Sequence, residues 1–155
     1  MEIASLIEVL GQRCGTTLAM KAGGTLAMNF EGDLAVNLEH DADEDTLHVY
    51  VVLGEDPAND GARLASYRML LEANLFGHDT AGGAIAVDPA RDEILMSRRI
   101  ELGLLDGDLL HEMVQGLVRS AVDLKTRLAN TAAGAPSFDD VRLMMGVGGY
   151  KNLMA

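Results

Sequence analysis

Three stretches with apolar residues at a period of two follow one another between Thr25 and Leu53, and they constrain the fold more than any other feature of the chain. Leu26, Met28 and Phe30 fall on one face of the first stretch, Leu34, Val36 and Leu38 on one face of the second. Leu47, Val49, Val51 and Leu53 do the same in the third. A period of two places each set on one side of a strand. The links are too short for anything but antiparallel neighbours. Glu31-Gly32-Asp33 makes a tight turn with a glycine free to take positive φ, and His40–Asp45 is a short acidic loop. A three-stranded antiparallel meander is the expected centre of the fold.

Helices frame it. Ile3, Leu6, Ile7 and Leu10 sit at i, i+3, i+4 and i+7, which predicts a helix over 2–14 that stops before Gly15. After the loop Gly54–Gly61, residues 61–76 read as a second helix with Leu64, Tyr67, Leu71 and Leu75 near one stripe and Gly77 beyond its end. Ala84–Val87 and Glu93–Leu102 read as two further strands joined by the turn Asp88–Asp92, where Pro89 fixes φ. Ile94, Met96, Ile100 and Leu102 face one way, and Arg98 interrupts them. Asp106 or Asp108 caps a third helix running to about Leu128, carried by Leu110, Met113, Leu117, Val118, Ala121 and Leu124. Asn130–Ser137 reads as a linker, so the expected organisation is one domain over 1–130 with a linker and tail over 131–155. Strands in blocks between helices make the class α+β, not a parallel βαβ sheet.

Composition narrows the function. At 155 residues the chain suits one domain with a core of its own. That core is aliphatic, because aromatics are 4% of the chain and there is no Trp. Acidic residues number 24 against 12 basic ones, a net charge of −12. Nucleic acid and anionic membrane surfaces require clustered Lys and Arg, so neither is an expected partner. No apolar run approaches the length of a bilayer span, and Glu2 and Glu8 interrupt the N-terminal apolar stretch where a signal peptide needs a basic start. Cys14 stands alone, which excludes an internal disulfide and suits a reducing compartment.

Motifs for chemistry fail on inspection. His111-Glu112-Met113-Val114-Gln115 lacks the second imidazole that a zinc-protease helix requires one turn on. Asp41, Asp43 and Asp45 imitate the start of a calcium loop, but Thr46 stands where the bending glycine belongs and Val52 where the bidentate Glu belongs. His40, His48 and His78 have no spacing of a triad or metal set, and the Gly146-Val-Gly-Gly run follows no strand. No enzymatic activity and no cofactor are expected. Nine Met residues, flexible and polarizable, suit either gap filling in the core or a surface that accepts varied partners. A helix joined through a glycine-rich hinge to an edge-like strand is also how a groove is built.

The order of elements, with Leu70-Leu71-Glu72-Ala73-Asn74-Leu75, Ala84-Ile85-Ala86-Val87-Asp88, Ile94–Ile100 and Leu104-Leu105-Asp106, resembles the class I chaperones of bacterial type III secretion, the Tir-chaperone (CesT-like) family. The resemblance covers about 1–130 and implies a cytoplasmic homodimer without ATPase activity. Such a dimer binds the non-globular N-terminal segment of a secreted effector and keeps it export-competent. It places the dimer interface on the second helix and the strand at 93–102, through Leu71, Leu75, Met96, Arg98 and Ile100. A groove lined by Leu6, Leu10, Leu26, Met28, Phe30 and Val36 would take the effector, which adds a strand to an exposed sheet edge. The tail and the missing late aromatic of the third helix depart from the family's pattern. A same-fold adaptor or regulator that binds a folded partner is the alternative function.

Overall fold

The alternation in the middle of the sequence becomes a five-stranded antiparallel sheet in the order β1-β2-β3-β5-β4. A computed structural model describes residues 2–30 and 32–134. The elements are α1 (Ile3–Arg13), β1 (Thr25–Phe30), β2 (Leu34–Asp41), β3 (Thr46–Glu55), α2 (Asp60–Ala73), β4 (Ala84–Asp88), β5 (Glu93–Glu101) and α3 (Gly107–Gly134). Register follows the hydrophobic pattern. Leu26 pairs with Leu38, Met28 with Val36, and Val36 in turn with Val51. The alternating apolar sets of the three strands therefore fall on one face. β5 joins the meander beside β3, with Leu47 opposite Ile100 and Val51 opposite Met96, and β4 closes the far side.

The apolar face of the sheet is covered by α3. Its ridge of Leu110, Val114, Leu117, Ala121, Leu124 and Leu128 is buried, it lies over β2 and β3, and both other helices pack against it. α1 contributes Leu6, Ile7 and Leu10 to this layer. Its approach to α3 is close: a Cβ on Gly107 would collide with Cγ1 of Val9. At the other end of the sheet, β3 bulges between Val52 and Gly54. A Cβ on Gly54 would meet Leu128 at 3.1 Å. The core is one cluster drawn from the sheet and all three helices.

Caps fix the helix ends. Asn59 accepts from the Ala62 amide at 2.9 Å and starts α2; Asp106 accepts from the Leu109 amide at 2.8 Å and starts α3. Asp108, the other candidate cap, instead pairs with Arg13 across to α1 at 2.6 Å. Two expected boundaries shift. α2 ends at Ala73, because Asn74 turns its side chain to β4 and Phe76 takes a left-handed conformation (φ 57) within a 3-10 turn, Leu75–Gly77. α3 continues through Asn130–Gly134, where Ala129, Ala132 and Ala133 favour helix over the expected linker. The remainder of the expected tail lies outside the described residues.

Candidate partner-binding surface

The two margins of the sheet differ. At β4, Asn74 reaches across from the end of α2. Its Oδ1 accepts from the Ile85 amide at 2.8 Å and its Nδ2 donates to the Ile85 carbonyl at 3.4 Å. One amide side chain thus stands in for a neighbouring strand. At β1, the Gly24 carbonyl accepts from the His40 amide at 2.8 Å, so even-numbered residues of β1 bond to β2. Alternation then turns the backbone groups of Ala27 and Asn29 outward. Among the described residues only the Thr25 carbonyl is taken, by the Lys21 amide at 2.8 Å. β1 holds no Pro and no charge, the devices that usually blunt an edge. Half-buried Leu18 and Met20, in the α1–β1 connection, and Phe30 lie against the core.

The residues expected to line an open groove lie elsewhere. Leu6, Leu10, Leu26, Met28 and Val36 are buried in the chain's own core, and of the six only Phe30 keeps partial exposure. The correction has a simple cause: α3 is long enough to cover the meander's apolar face together with α1. What these strands leave accessible is backbone, not those side chains.

The expected interface residues divide in the same way. Met96 and Ile100 are core, opposite Val51 and Leu47, and are not on an accessible surface. Arg98 is half-buried and donates to the Ala81 carbonyl at 2.8 Å. Leu71 and Leu75 are outside, 69% and 62% exposed. Leu64 (62%) is exposed on α2 as well, and Phe76 (86%) is exposed beside Leu75 in the turn that follows the helix. The helix buries its other side through small residues, Ala62, Ser66 and Ala73, together with Leu70. Sequence reasoning missed Phe76 and the Asn74 seal. A large aromatic just before the glycine that ends the helix was the available signal for the first.

The polar candidates do not converge. Glu39 lies opposite His48 while His40 lies opposite Leu47, so the two imidazoles face opposite sides of the sheet. Gln115 pairs with His111 at 3.1 Å on the exposed side of α3. Asp41 uses Oδ1 to accept from the amides of Asp43 and Glu44, at 3.0 and 3.1 Å, so this carboxylate closes the β2–β3 turn. Cys14 is exposed at the end of α1, and desolvation raises its thiol pKa, the reverse of nucleophile activation. Among the described residues no group of three His, Cys, Asp or Glu is placed to hold a metal, and no helix is long and apolar enough to cross a membrane.

Solved structures share this arrangement. The ExsC–ExsE complex aligns with a TM-score of 0.67 at 18% identity, over 83% of this chain and 97% of the other. The HopA1–SchA chaperone–effector complex gives 0.64 at 18% identity, over 78% and 91%. The type III secretion chaperone SycH of Yersinia pestis, in complex with a stable fragment of YscM2, gives 0.60 at 20% identity, over 78% and 98%. No curated protein matches the sequence. The model of the Tir chaperone protein (CesT) family matches residues 5–125, and the chain belongs to that family.

Proposed function

We propose that the chain is a type III secretion chaperone that holds the non-globular N-terminal segment of a secreted effector in extended form and carries out no bond-making chemistry. The observation that supports this reading is the margin of β1, unpaired among the described residues, in a fold of the CesT family. A segment that adds a strand there satisfies its own backbone through Ala27 and Asn29. It also lays alternate side chains against Phe30, Leu18 and Met20. Ordering such a segment costs roughly 2–5 kcal/mol, which apolar contact along the edge must exceed. A disordered cargo meets that requirement and still threads a narrow export channel.

The same reading makes the working species a homodimer in the bacterial cytoplasm. Leu64 and Leu71 on α2 and Leu75 and Phe76 in the turn after it are exposed apolar side chains that a second copy covers. Residues 1–130 act as the chaperone domain. Co-purification with the N-terminal segments of effectors encoded beside this chain tests the proposal. A stable complex whose mass equals two chaperone chains plus one extended segment is the expected result. Absence of a complex with every such segment overturns the reading, as does capture of the folded effector alone.

A further inference from the structure

Beside the margin of β1, the open face of the sheet carries a pocket of about 220 Å³ lined by Lys21, Thr25, Ala27, Asn37, Glu39 and Tyr50. Register explains why it forms there. Ala27 lies opposite Asn37 and Asn37 opposite Tyr50, while Thr25 lies opposite Glu39, so these side chains share the face turned away from the core. Ala27 is small and exposed, and it leaves the pocket open toward the edge. Glu39 Oε1 accepts from the Tyr50 hydroxyl at 2.9 Å. Among the described residues no cation pairs with Glu39, and its Oε2 is left without a partner. Lys21, the other charge at the pocket, is exposed and lies beyond ion-pair distance. We propose that this pocket takes an arginine side chain of the segment that pairs with β1, and that Glu39 selects it. The inference rests on the reading of β1 as the cargo edge and adds the side-chain chemistry of the cargo.

Pairing geometry delivers that side chain. Ala27 turns its amide and carbonyl outward, so an antiparallel strand residue opposite it exchanges both backbone bonds with it. The two side chains then stand on the same face, about 5 Å apart. The incoming one points along the row of Ala27, Asn37 and Tyr50. From the added strand to β2 is two strand spacings, roughly 10 Å. The methylene stem and planar head of an arginine cover most of that distance, and the methylenes of Glu39 cover the rest. The stem crosses the Ala27 methyl, the guanidinium donates to Glu39 Oε2, and its flat face lies on the Tyr50 ring. Lysine brings a more strongly hydrated point charge with no fork and no stacking face. Glutamine brings no charge, and an acidic side chain meets Glu39 as a like charge. The net charge of −12 draws any basic segment toward the chain, whereas the pocket fixes one cation at one position of the strand.

Short capped peptides of alternating Val and Thr, with one central Thr replaced by Arg, Lys, Gln or Glu, test this on the full chain. Protection of the Ala27 and Asn29 amides from hydrogen exchange locates each peptide, and calorimetry gives its Kd. The Arg peptide should bind about tenfold more tightly than the Gln peptide, with Lys between them and Glu weakest. Glu39→Gln should cut the preference for Arg over Gln to about twofold or less. Ala27→Leu should do the same, because it keeps the backbone of the margin and blocks the path across it. Asp43→Asn removes a carboxylate of the β2–β3 turn that does not line the pocket, and should leave the preference unchanged. Equal Kd for the Arg and Gln peptides, both protecting the β1 amides, overturns the inference and leaves the edge reading standing. A preference that survives Glu39→Gln, or that Asp43→Asn reduces as much, reports net charge alone and overturns it too. If no peptide protects those amides, the edge reading falls and takes the inference with it.

Discussion

Asn74 does at one sheet margin what a paired strand does elsewhere: it answers both the amide and the carbonyl of Ile85. Removing it leaves two backbone groups of a half-buried strand without partners. Asn74→Ala should cost about 1–3 kcal/mol in urea unfolding, the range for unsatisfied buried polar groups. Asn74→Asp keeps the acceptor and should lose less. Tyr67 makes a different kind of contact. Its hydroxyl donates to Asp56 Oδ1 at 2.8 Å, and burial first, then the neighbouring carboxylate, raise its pKa above 10.0. The unfolded chain therefore releases this proton before the folded one does. The contact contributes fully below about pH 10 and is lost as pH rises through the higher folded value. Tyr67→Phe should abolish that alkaline loss, so that its stability and the wild type's converge above pH 10; a constant gap between the two curves would contradict the assignment.

Elements show where sequence periodicity stops being informative. The meander was legible because one face of each strand is buried in the core and the other is more open, so alternation and burial coincide. In α2 the large apolar stripe predicted for the helix lies outward, and the helix packs through Ala62, Ser66 and Ala73. A stripe of Leu reports only that something covers it, not whether the cover is the chain's own core or a second molecule. The groove residues failed for the reverse reason: Leu6, Leu10 and Val36 had the pattern of a binding face and are core. In the proposed homodimer, Leu71→Asp should therefore halve the mass measured by light scattering at unchanged thermal stability. Ile100→Asp should unfold the chain, since the charge enters the core without a partner. A Leu71→Asp protein that keeps the wild-type mass would remove α2 from the interface. The α1–α3 contact adds a stricter case. Gly107→Ala forces Val9 or the helix to move and should cost about 1–3 kcal/mol, with partial relief in a Gly107→Ala, Val9→Ala double variant.

At the scale of the molecule, the sheet has one margin answered at Ile85 by the Asn74 side chain and one margin, at β1, that is unpaired at Ala27 and Asn29 among the described residues. Proline separates them. Ala27 and Val87 both turn their amides away from the sheet, the first by alternation from Gly24, the second by alternation from Ile85. Because neither amide bonds within the sheet, Pro at either place should be tolerated, as it is on edge strands generally. Ala27→Pro removes a donor from the free margin and sets a ring where an added strand would lie. It should weaken the complex with an effector's N-terminal segment at least about tenfold in Kd, a loss of about 1.4 kcal/mol or more. Val87→Pro, on the sealed side, should bind as the wild type does. Calorimetry on the two variants, with circular dichroism to show both folded, reads the difference. If Ala27→Pro is folded and binds normally, cargo does not pair with β1. The alternating side chains of a bound segment would then have to be held by the outer face of the sheet or by α2, surfaces that neither proline touches.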